Sequence, residues 1–92
     1  MATEYVLDGG KVSSRQTFYA EMERALGLPA GDIPNLDWLD DILSGGVAGI
    51  PDEGVTLRWT QSGQSRQHLG LELFEKLSDL LAENRNVSLL LE

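Results

Sequence analysis

Three short apolar segments, residues 4–8, 55–59 and 87–91, are separated by long stretches in which apolar residues recur at helical spacing. Long helical crossovers between strands favour parallel pairing, with right-handed connections. The last segment is an almost continuous apolar run, which is typical of a strand covered on both faces. We therefore predict an α/β fold, with a small three-stranded parallel sheet packed with three to four helices.

The stretches between these segments carry signals for helix ends. The first helix is predicted to begin at Ser13, with Gln16 as its capping-box partner, and to end at Gly27. Leucines at helical spacing predict a final helix over residues 69–81. The polar stretch of residues 60–70 is expected to be a loop or a short helix that leads into it.

No repeat or long linker divides residues 1–92, so we expect one domain with one core. The chain has no cysteine, which excludes a disulfide framework and a cysteine-based metal site or nucleophile. No signal peptide is visible, and no apolar run is long enough to span a bilayer. We therefore expect a cytoplasmic protein that does not bind membranes.

The formal net charge of −8 is concentrated in one window of the chain. Residues 25–57 contain no lysine or arginine. The acids of this window are Asp32, Asp37, Asp40, Asp41, Asp52 and Glu53. So acidic a chain is not expected to bind nucleic acid directly, because the phosphates would be repelled. A concentrated negative face without counter-charges instead indicates that the counter-charges belong to a partner.

Three of these acids lie on a second predicted helix, residues 36–44, for which Asn35 is the expected N-cap. At about 100° per residue, its leucine and isoleucine side chains cluster on one side, and Asp37, Asp40 and Asp41 gather on the other. Asp37 and Asp41 are i,i+4 neighbours, whose like charges cost roughly 0.2–0.5 kcal/mol. Folding does not require this destabilisation, which favours a role in binding.

Three stretches of the chain follow a known pattern in order and with nearly constant spacing. They are Ala-Leu-Gly-Leu-Pro at 25–29, the acidic helix with its leucines from Asn35 to Gly45, and Trp59, Gln61, Gln64, Ser65, Arg66 and Gln67. Phe74 and the terminal apolar strand continue the match. Together these residues resemble the barstar family of intracellular ribonuclease inhibitors over nearly the whole chain.

The resemblance implies a protein that is not an enzyme, needs no cofactor or metal, and is a monomer when free. Its partner would be a basic, barnase-like microbial ribonuclease, whose active site receives the second helix and the loop before it. The helix carboxylates would occupy the positions of RNA phosphates, with Asp41 central and Asp37 its companion. The full set of expected partner-binding residues is Gly31, Asp32, Asn35, Asp37, Trp38, Asp40, Asp41, Gly45, Gly46, Glu75 and Asp79.

The chain departs from the family pattern at several of these positions. Where the family usually has Trp before the second key acid, this chain has Asp40, and a Trp occurs two residues earlier as Trp38. The loop before the helix lacks the family's aromatic residues. In the final helix the family's acidic contact falls near Lys76, between Glu75 and Asp79. These departures favour a ribonuclease other than barnase as the target.

Two alternatives for the acidic face stay open. It could bind a different basic protein, or Asp37, Asp40 and Asp41 could hold Mg²⁺ or Ca²⁺ weakly through oxygen ligands. Acid–base chemistry of the glycosidase type by Asp40, Asp41 and Glu53 is disfavoured, since so short a chain leaves little room for a substrate cleft. His68, the single histidine, is expected to be structural or solvated.

Overall fold

The computed structural model describes residues 3–46 and 54–92, so Asp52 and Glu53 of the acidic window lie outside the described residues. The described residues form three strands and four α-helices. In chain order they are β1 (Thr3–Asp8), α1 (Arg15–Leu26), α2 (Leu36–Asp41), β2 (Val55–Thr60), α3 (Ser62–Leu69), α4 (Leu71–Glu83) and β3 (Val87–Leu91). A 3₁₀ turn, Gly9–Lys11, follows β1, and a wide turn, Ile42–Gly46, follows α2.

The strands form one parallel sheet in the order β1–β2–β3, which confirms the predicted α/β fold. In the β1–β2 register, Thr3 lies opposite Val55 and Asp8 lies opposite Thr60. On the other side of β2, Val55 lies opposite Val87. Because β2 has a neighbour on each edge, it is the strand around which the helices and the core are arranged.

The last strand is an edge strand, and this changes how its apolar run is explained. Val87 is buried, whereas Leu90 and Leu91 are 46% and 49% exposed. The prediction that both faces of this strand are covered is therefore wrong for its C-terminal half. Helix α4 packs on β3, but Leu90 and Leu91 stay far more exposed than the leucines of the core.

An apolar core joins the sheet to the helices. Its members are Leu7, Val12, Phe18, Met22, Leu26, Ile33, Leu39, Ile42, Leu43, Val55, Leu57, Trp59, Phe74, Leu77, Leu81 and Val87. The Trp59 ring centroid lies 5.6 Å from that of Phe18 on α1 and 5.2 Å from that of Phe74 on α4. Fully burying side chains of this size contributes about 1.5–3 kcal/mol each. The core therefore connects β2 to helices from both halves of the chain.

Helix α1 begins one residue later than predicted. Ser14 is the N-cap: its Oγ accepts from the Thr17 amide at 3.2 Å, and the Thr17 hydroxyl oxygen accepts from the Ser14 amide at 2.8 Å. The predicted pairing of Ser13 with Gln16 is therefore wrong, because the Ser13 amide also donates to the Thr17 hydroxyl oxygen, at 2.8 Å. A capping box is present, with threonine in place of glutamine.

A buried carboxylate fastens α1 to β1. The Oε2 atom of Glu21, which is 4% exposed, accepts from the Asp8 amide at 2.7 Å and from Arg24 Nη2 at 2.6 Å. Burial raises the pKa of Glu21, but the hydrogen bonds from Arg24 and the Asp8 amide, with the positive charge of Arg24, outweigh this and lower the pKa below its ordinary value. Glu21 therefore stays ionised while it holds the helix on the strand.

The polar stretch after β2 is a helix, α3, and a chain of buried hydrogen bonds ties it to the sheet. The Trp59 indole Nε1–H donates to Ser65 Oγ at 2.9 Å, and the Ser65 hydroxyl donates to the Gly9 carbonyl at 2.8 Å. All three residues are buried. A buried tryptophan needs such an acceptor, so the spacing of Trp59 and Ser65 in the sequence has a structural explanation.

Replacing Ser65 with alanine should destabilise the protein by about 1–3 kcal/mol, because Trp59 Nε1–H and the Gly9 carbonyl would both be left buried without this partner. Urea unfolding followed by tryptophan fluorescence measures the change. Gln67→Ala, at an exposed position on the same helix, is the control and should cost no more than about 0.5 kcal/mol. Equal stabilities of the two variants would contradict the role given to Ser65.

Candidate functional site

Helix α2 begins where the sequence predicts. Asn35 has an extended backbone, and its side-chain Oδ1 accepts from the Trp38 amide at 2.8 Å, which confirms it as the N-cap. Leu39, Ile42 and Leu43 are buried in the core. The apolar side of this segment is therefore anchored as expected. Asp37 lies in the first turn, where the helix dipole stabilises a carboxylate.

The three acids of α2 do not share one environment. Asp37 and Asp41 are exposed, as predicted for the outward face. Asp40 is half-buried, and its Oδ1 accepts from Asn84 Nδ2 at 2.8 Å. At about 100° per residue, Asp40 lies on the flank of the helix, where the end of α4 reaches it. The prediction that all three carboxylates face outward is therefore wrong for Asp40.

The turn after α2 is held by two asparagines from the α4–β3 connection. Asn84 Nδ2 also donates to the Asp40 carbonyl at 3.1 Å and lies 3.3 Å from Ser44 Oγ. Asn86 Nδ2 donates to the Leu43 carbonyl at 2.9 Å. Sequence patterns did not assign either asparagine to the site. The signal available in the sequence was the pair of asparagines between the last helix and the last strand.

The loop before α2 is held in a similar way by a residue of α1. Glu23 is 6% exposed, and its Oε2 accepts from the Gly31 amide at 3.0 Å and from the Ile33 amide at 2.8 Å. Gly31 has φ 89°, in the left-handed region that favours glycine. The predicted binding residues Gly31 and Asp32 therefore lie on an exposed but anchored loop. Sequence patterns also missed Glu23, since nothing in them distinguishes it from the other polar residues of α1.

Trp38 lies on the other flank of α2 and is 51% exposed. It lines a surface cavity of about 320 Å³. The other lining residues are Leu28, Gly31, Asp32, Pro34 and Ile42. This cavity brings the predicted residues of the loop and Trp38 into one continuous surface beside the acidic face.

A second groove, of about 890 Å³, runs between α2 and α4. Asp40 and Asp79 both line it, together with Lys76, so the structure brings Asp79 close to the α2 segment. Glu75 is exposed on α4 but is not among the residues that line this groove.

The two glycines that follow α2 shape the turn Ile42–Gly46. Gly45 has φ 90°, so glycine is favoured there by the backbone conformation itself, and Gly46 ends the turn. That Gly45 and Gly46 contact a partner stays a prediction.

The two arginines that flank the base-free window are engaged away from α2. Arg24 pairs with Glu21 at 2.6 Å, and the hydrogen bond raises the pKa of Arg24. Arg58 pairs with Glu92 at 2.9 Å and with Glu4 at 3.1 Å, across the two neighbouring strands. Hydrogen bonds to Glu92 and Glu4 raise the pKa of Arg58. Neither arginine is therefore used to compensate the acids of α2.

Within residues 3–46 and 54–92, no group of three or more His, Cys, Asp or Glu side chains is placed to hold a metal ion. The three acids of α2 therefore give no geometric support to a Mg²⁺ or Ca²⁺ site. His68 is exposed, and its Nδ1 lies 2.9 Å from the Gln64 carbonyl oxygen, so it is solvated as expected. In the same part of the chain no helix combines the length and the apolar character needed to cross a membrane.

Comparison with known proteins identifies the family. A family model described as Barstar (barnase inhibitor) matches residues 2–88. The chain belongs to the barstar family. This confirms the resemblance seen in the sequence and supports a ribonuclease-inhibitor role in general, since the family is one of inhibitors and not of enzymes. A search of curated proteins found no match.

Replacing Glu23 with alanine should loosen the loop of this barstar-family protein, because the Gly31 and Ile33 amides would lose their acceptor. We expect faster hydrogen exchange at these two amides and a stability loss of about 1–3 kcal/mol. Glu23→Gln keeps one side-chain oxygen as acceptor and should retain most of the protection. Unchanged exchange in the alanine variant would show that the carboxylate does not hold the loop.

Proposed function

We propose that this protein inhibits a secreted microbial ribonuclease by inserting α2 and the preceding loop into the enzyme's active site. The observation that carries the proposal is the exposure of Asp37 and Asp41 on one helix face, within a chain that belongs to the barstar family. A ribonuclease cleft stabilises phosphate charge with cationic side chains. The two carboxylates would take the positions of RNA phosphates there.

The charge distribution supports fast association with such an enzyme. The chain carries a formal charge of −8, and a basic cleft would be steered towards its acidic face over long distances. Steering of this kind raises association rates and depends strongly on salt. In the proposed role the free protein is a cytoplasmic monomer that protects the producing cell before the nuclease is exported.

The surface beside the acids supports a target other than barnase. The family's usual tryptophan is replaced by Asp40, which is half-buried, while Trp38 is 51% exposed on the opposite flank of the helix. Trp38 would therefore supply the aromatic contact from a different side of α2. Aromatic residues next to charged anchors are frequent sources of binding energy in interfaces.

Asp41→Ala should weaken ribonuclease binding by about 2–5 kcal/mol, the range typical of truncated buried interfacial charge pairs, a rule for which the barnase–barstar pair is itself one of the examples. The loss arises because the enzyme's cation is left buried and unpaired. RNA cleavage by barnase and by other small guanyl-specific ribonucleases, titrated with inhibitor at low and high salt, measures the effect. Asp37→Ala should act in the same direction.

The matched control is Glu72→Gln, which also removes one negative charge but lies on a separate groove with Arg15 and Leu69. It should alter inhibition only slightly, and the melting temperature of Asp41→Ala should stay close to that of the wild type. An equal loss of stability and inhibition in Asp41→Ala would indicate a structural role. If no basic ribonuclease is inhibited at micromolar protein and low salt, a different basic partner becomes the better explanation of the acidic face.

Trp38→Ala should weaken binding by about 2 kcal/mol or more if Trp38 is a buried anchor of the complex. Because Trp59 is fully buried and Trp38 is 51% exposed, a fluorescence shift on binding would report on Trp38. Trp38→Phe keeps an aromatic ring and should lose less affinity than the alanine variant. Wild-type affinity of Trp38→Ala for an inhibited ribonuclease would remove this residue from the interface.

A further inference from the structure

We propose that Asn84 and Asp40 are positioning residues that fix the presentation of Asp41, and that the Asp40 carboxylate is not itself a contact for the partner's cations. The inference rests on the proposed function, because it assigns these residues a role in that same surface. It assigns Asp40 a different role from the other two acids of α2.

Helix α2 cannot be stable by itself. The regular helix contains only six residues, Leu36–Asp41, and isolated helices of this length do not form in water. Its acids add repulsion between Asp37 and Asp41. The orientation of Asp41 must therefore be set by contacts with the rest of the fold. On the apolar side Leu39, Ile42 and Leu43 provide such contacts.

The backbone carbonyls at the end of α2 receive hydrogen bonds from another part of the chain. The last carbonyls of any helix lack partners in the following turn and need other donors. Here the regular pattern gives way to the wide turn Ile42–Gly46, in which Gly45 has a non-helical φ of 90°. Asn84 donates to the Asp40 carbonyl at 3.1 Å, and Asn86 donates to the Leu43 carbonyl at 2.9 Å. The asparagines therefore cap α2 from a different part of the chain.

The side-chain oxygen Oδ1 of Asp40 takes part in the same hydrogen-bond network. Asn84 is 8% exposed, and its Nδ2 donates to Asp40 Oδ1 at 2.8 Å, while Asn84 Oδ1 accepts from the Asn86 amide at 2.9 Å. Ser44 Oγ donates to the Asp40 carbonyl at 2.9 Å. Both the nitrogen and the oxygen of the Asn84 side-chain amide are therefore hydrogen-bonded, which fixes its orientation. These hydrogen bonds hold the last turn of α2 and the turn that follows it against the α4–β3 connection. The exposed Asp41 lies directly beside them.

A contact role and a positioning role for Asp40 differ in whether the negative charge is needed. A cation of the partner requires the charge, whereas Asn84 Nδ2 requires only an oxygen acceptor. Asp40→Asn removes the charge and keeps an oxygen, and Asp40→Ala removes both. The same pair of changes at Asp41 gives the comparison, because both should be damaging at a contact residue.

The test begins with the affinity of the wild-type protein for barnase and other small guanyl-specific ribonucleases. For the enzyme that is inhibited, we expect Asp40→Asn to change Kd by less than about threefold and Asp41→Asn to raise it by a hundredfold or more. Glu83→Gln, a charge removal in the same groove at an exposed residue outside the expected contact set, is the control for loss of long-range attraction. A Kd for Asp40→Asn as high as that for Asp41→Asn overturns the proposal.

Asn84→Ala and Asp40→Ala should each raise Kd about tenfold, mainly through faster dissociation. In the Asp41→Ala background this effect should nearly vanish, since the carboxylate to be positioned is absent. The effect of Asn84→Ala on melting temperature should persist in that background. A purely structural role would leave the Kd effect of Asn84→Ala independent of Asp41, and this result would contradict positioning.

Hydrogen exchange on the free protein separates this inference from the proposed function. In Asn84→Ala, amides of residues 42–46 should exchange faster, while amides of β2 should stay protected. Unchanged exchange at 42–46 refutes the anchor whatever the binding data show. If the wild-type protein inhibits no ribonuclease, the proposed function fails and the binding role fails with it, and the exchange data still decide whether Asn84 holds the helix.

Discussion

At the centre of the sheet, Trp59 packs between Phe18 and Phe74 while its indole N–H donates to Ser65. The burial of this one large side chain joins α1, β2 and α4 in a common core, and it is favourable only because its polar atom has a partner. The Ser65 hydroxyl in turn donates to the carbonyl of Gly9, the residue directly after β1. The buried side chains of α2 and the turn after it, Leu39, Ile42 and Leu43, belong to the same core as Trp59.

The acidic segment is supported differently from the core. A surface meant to attract a basic partner needs exposed carboxylates, and Asp37 and Asp41 repel each other across one turn of their short helix. The fold supplies the missing stability through buried polar side chains that hold the segment at its two ends. Glu23 binds amides of the loop before α2, and Asn84 and Asn86 bind carbonyls and the Asp40 side chain after it. Among the described residues, the carboxylates left exposed on the outward face of the helix are those of Asp37 and Asp41.

Patterns in the sequence were sufficient wherever one periodicity or one cap decides the outcome. The parallel sheet, the N-cap at Asn35 and the exposure of Asp37 and Asp41 were predicted in this way. The start of α1 was misplaced because a threonine hydroxyl can replace the expected glutamine in a capping box. The cover of β3 was overestimated because an apolar run does not reveal whether a strand lies at the edge of a sheet, where Leu90 and Leu91 stay exposed.

The sequence by itself determined the fold class, the family and the position of a base-free acidic helix, because these depend on local spacing and on residue order. Only the tertiary structure distinguished Asp40 from Asp41. Their carboxylates are adjacent in the chain, and helical geometry turns one towards the flank and the other towards solvent. Whether the flank meets water or an amide depends on Asn84, 44 positions away in the chain. Long-range packing of that kind has no signature in local sequence, because it arises from how the α4–β3 connection lies against the end of α2.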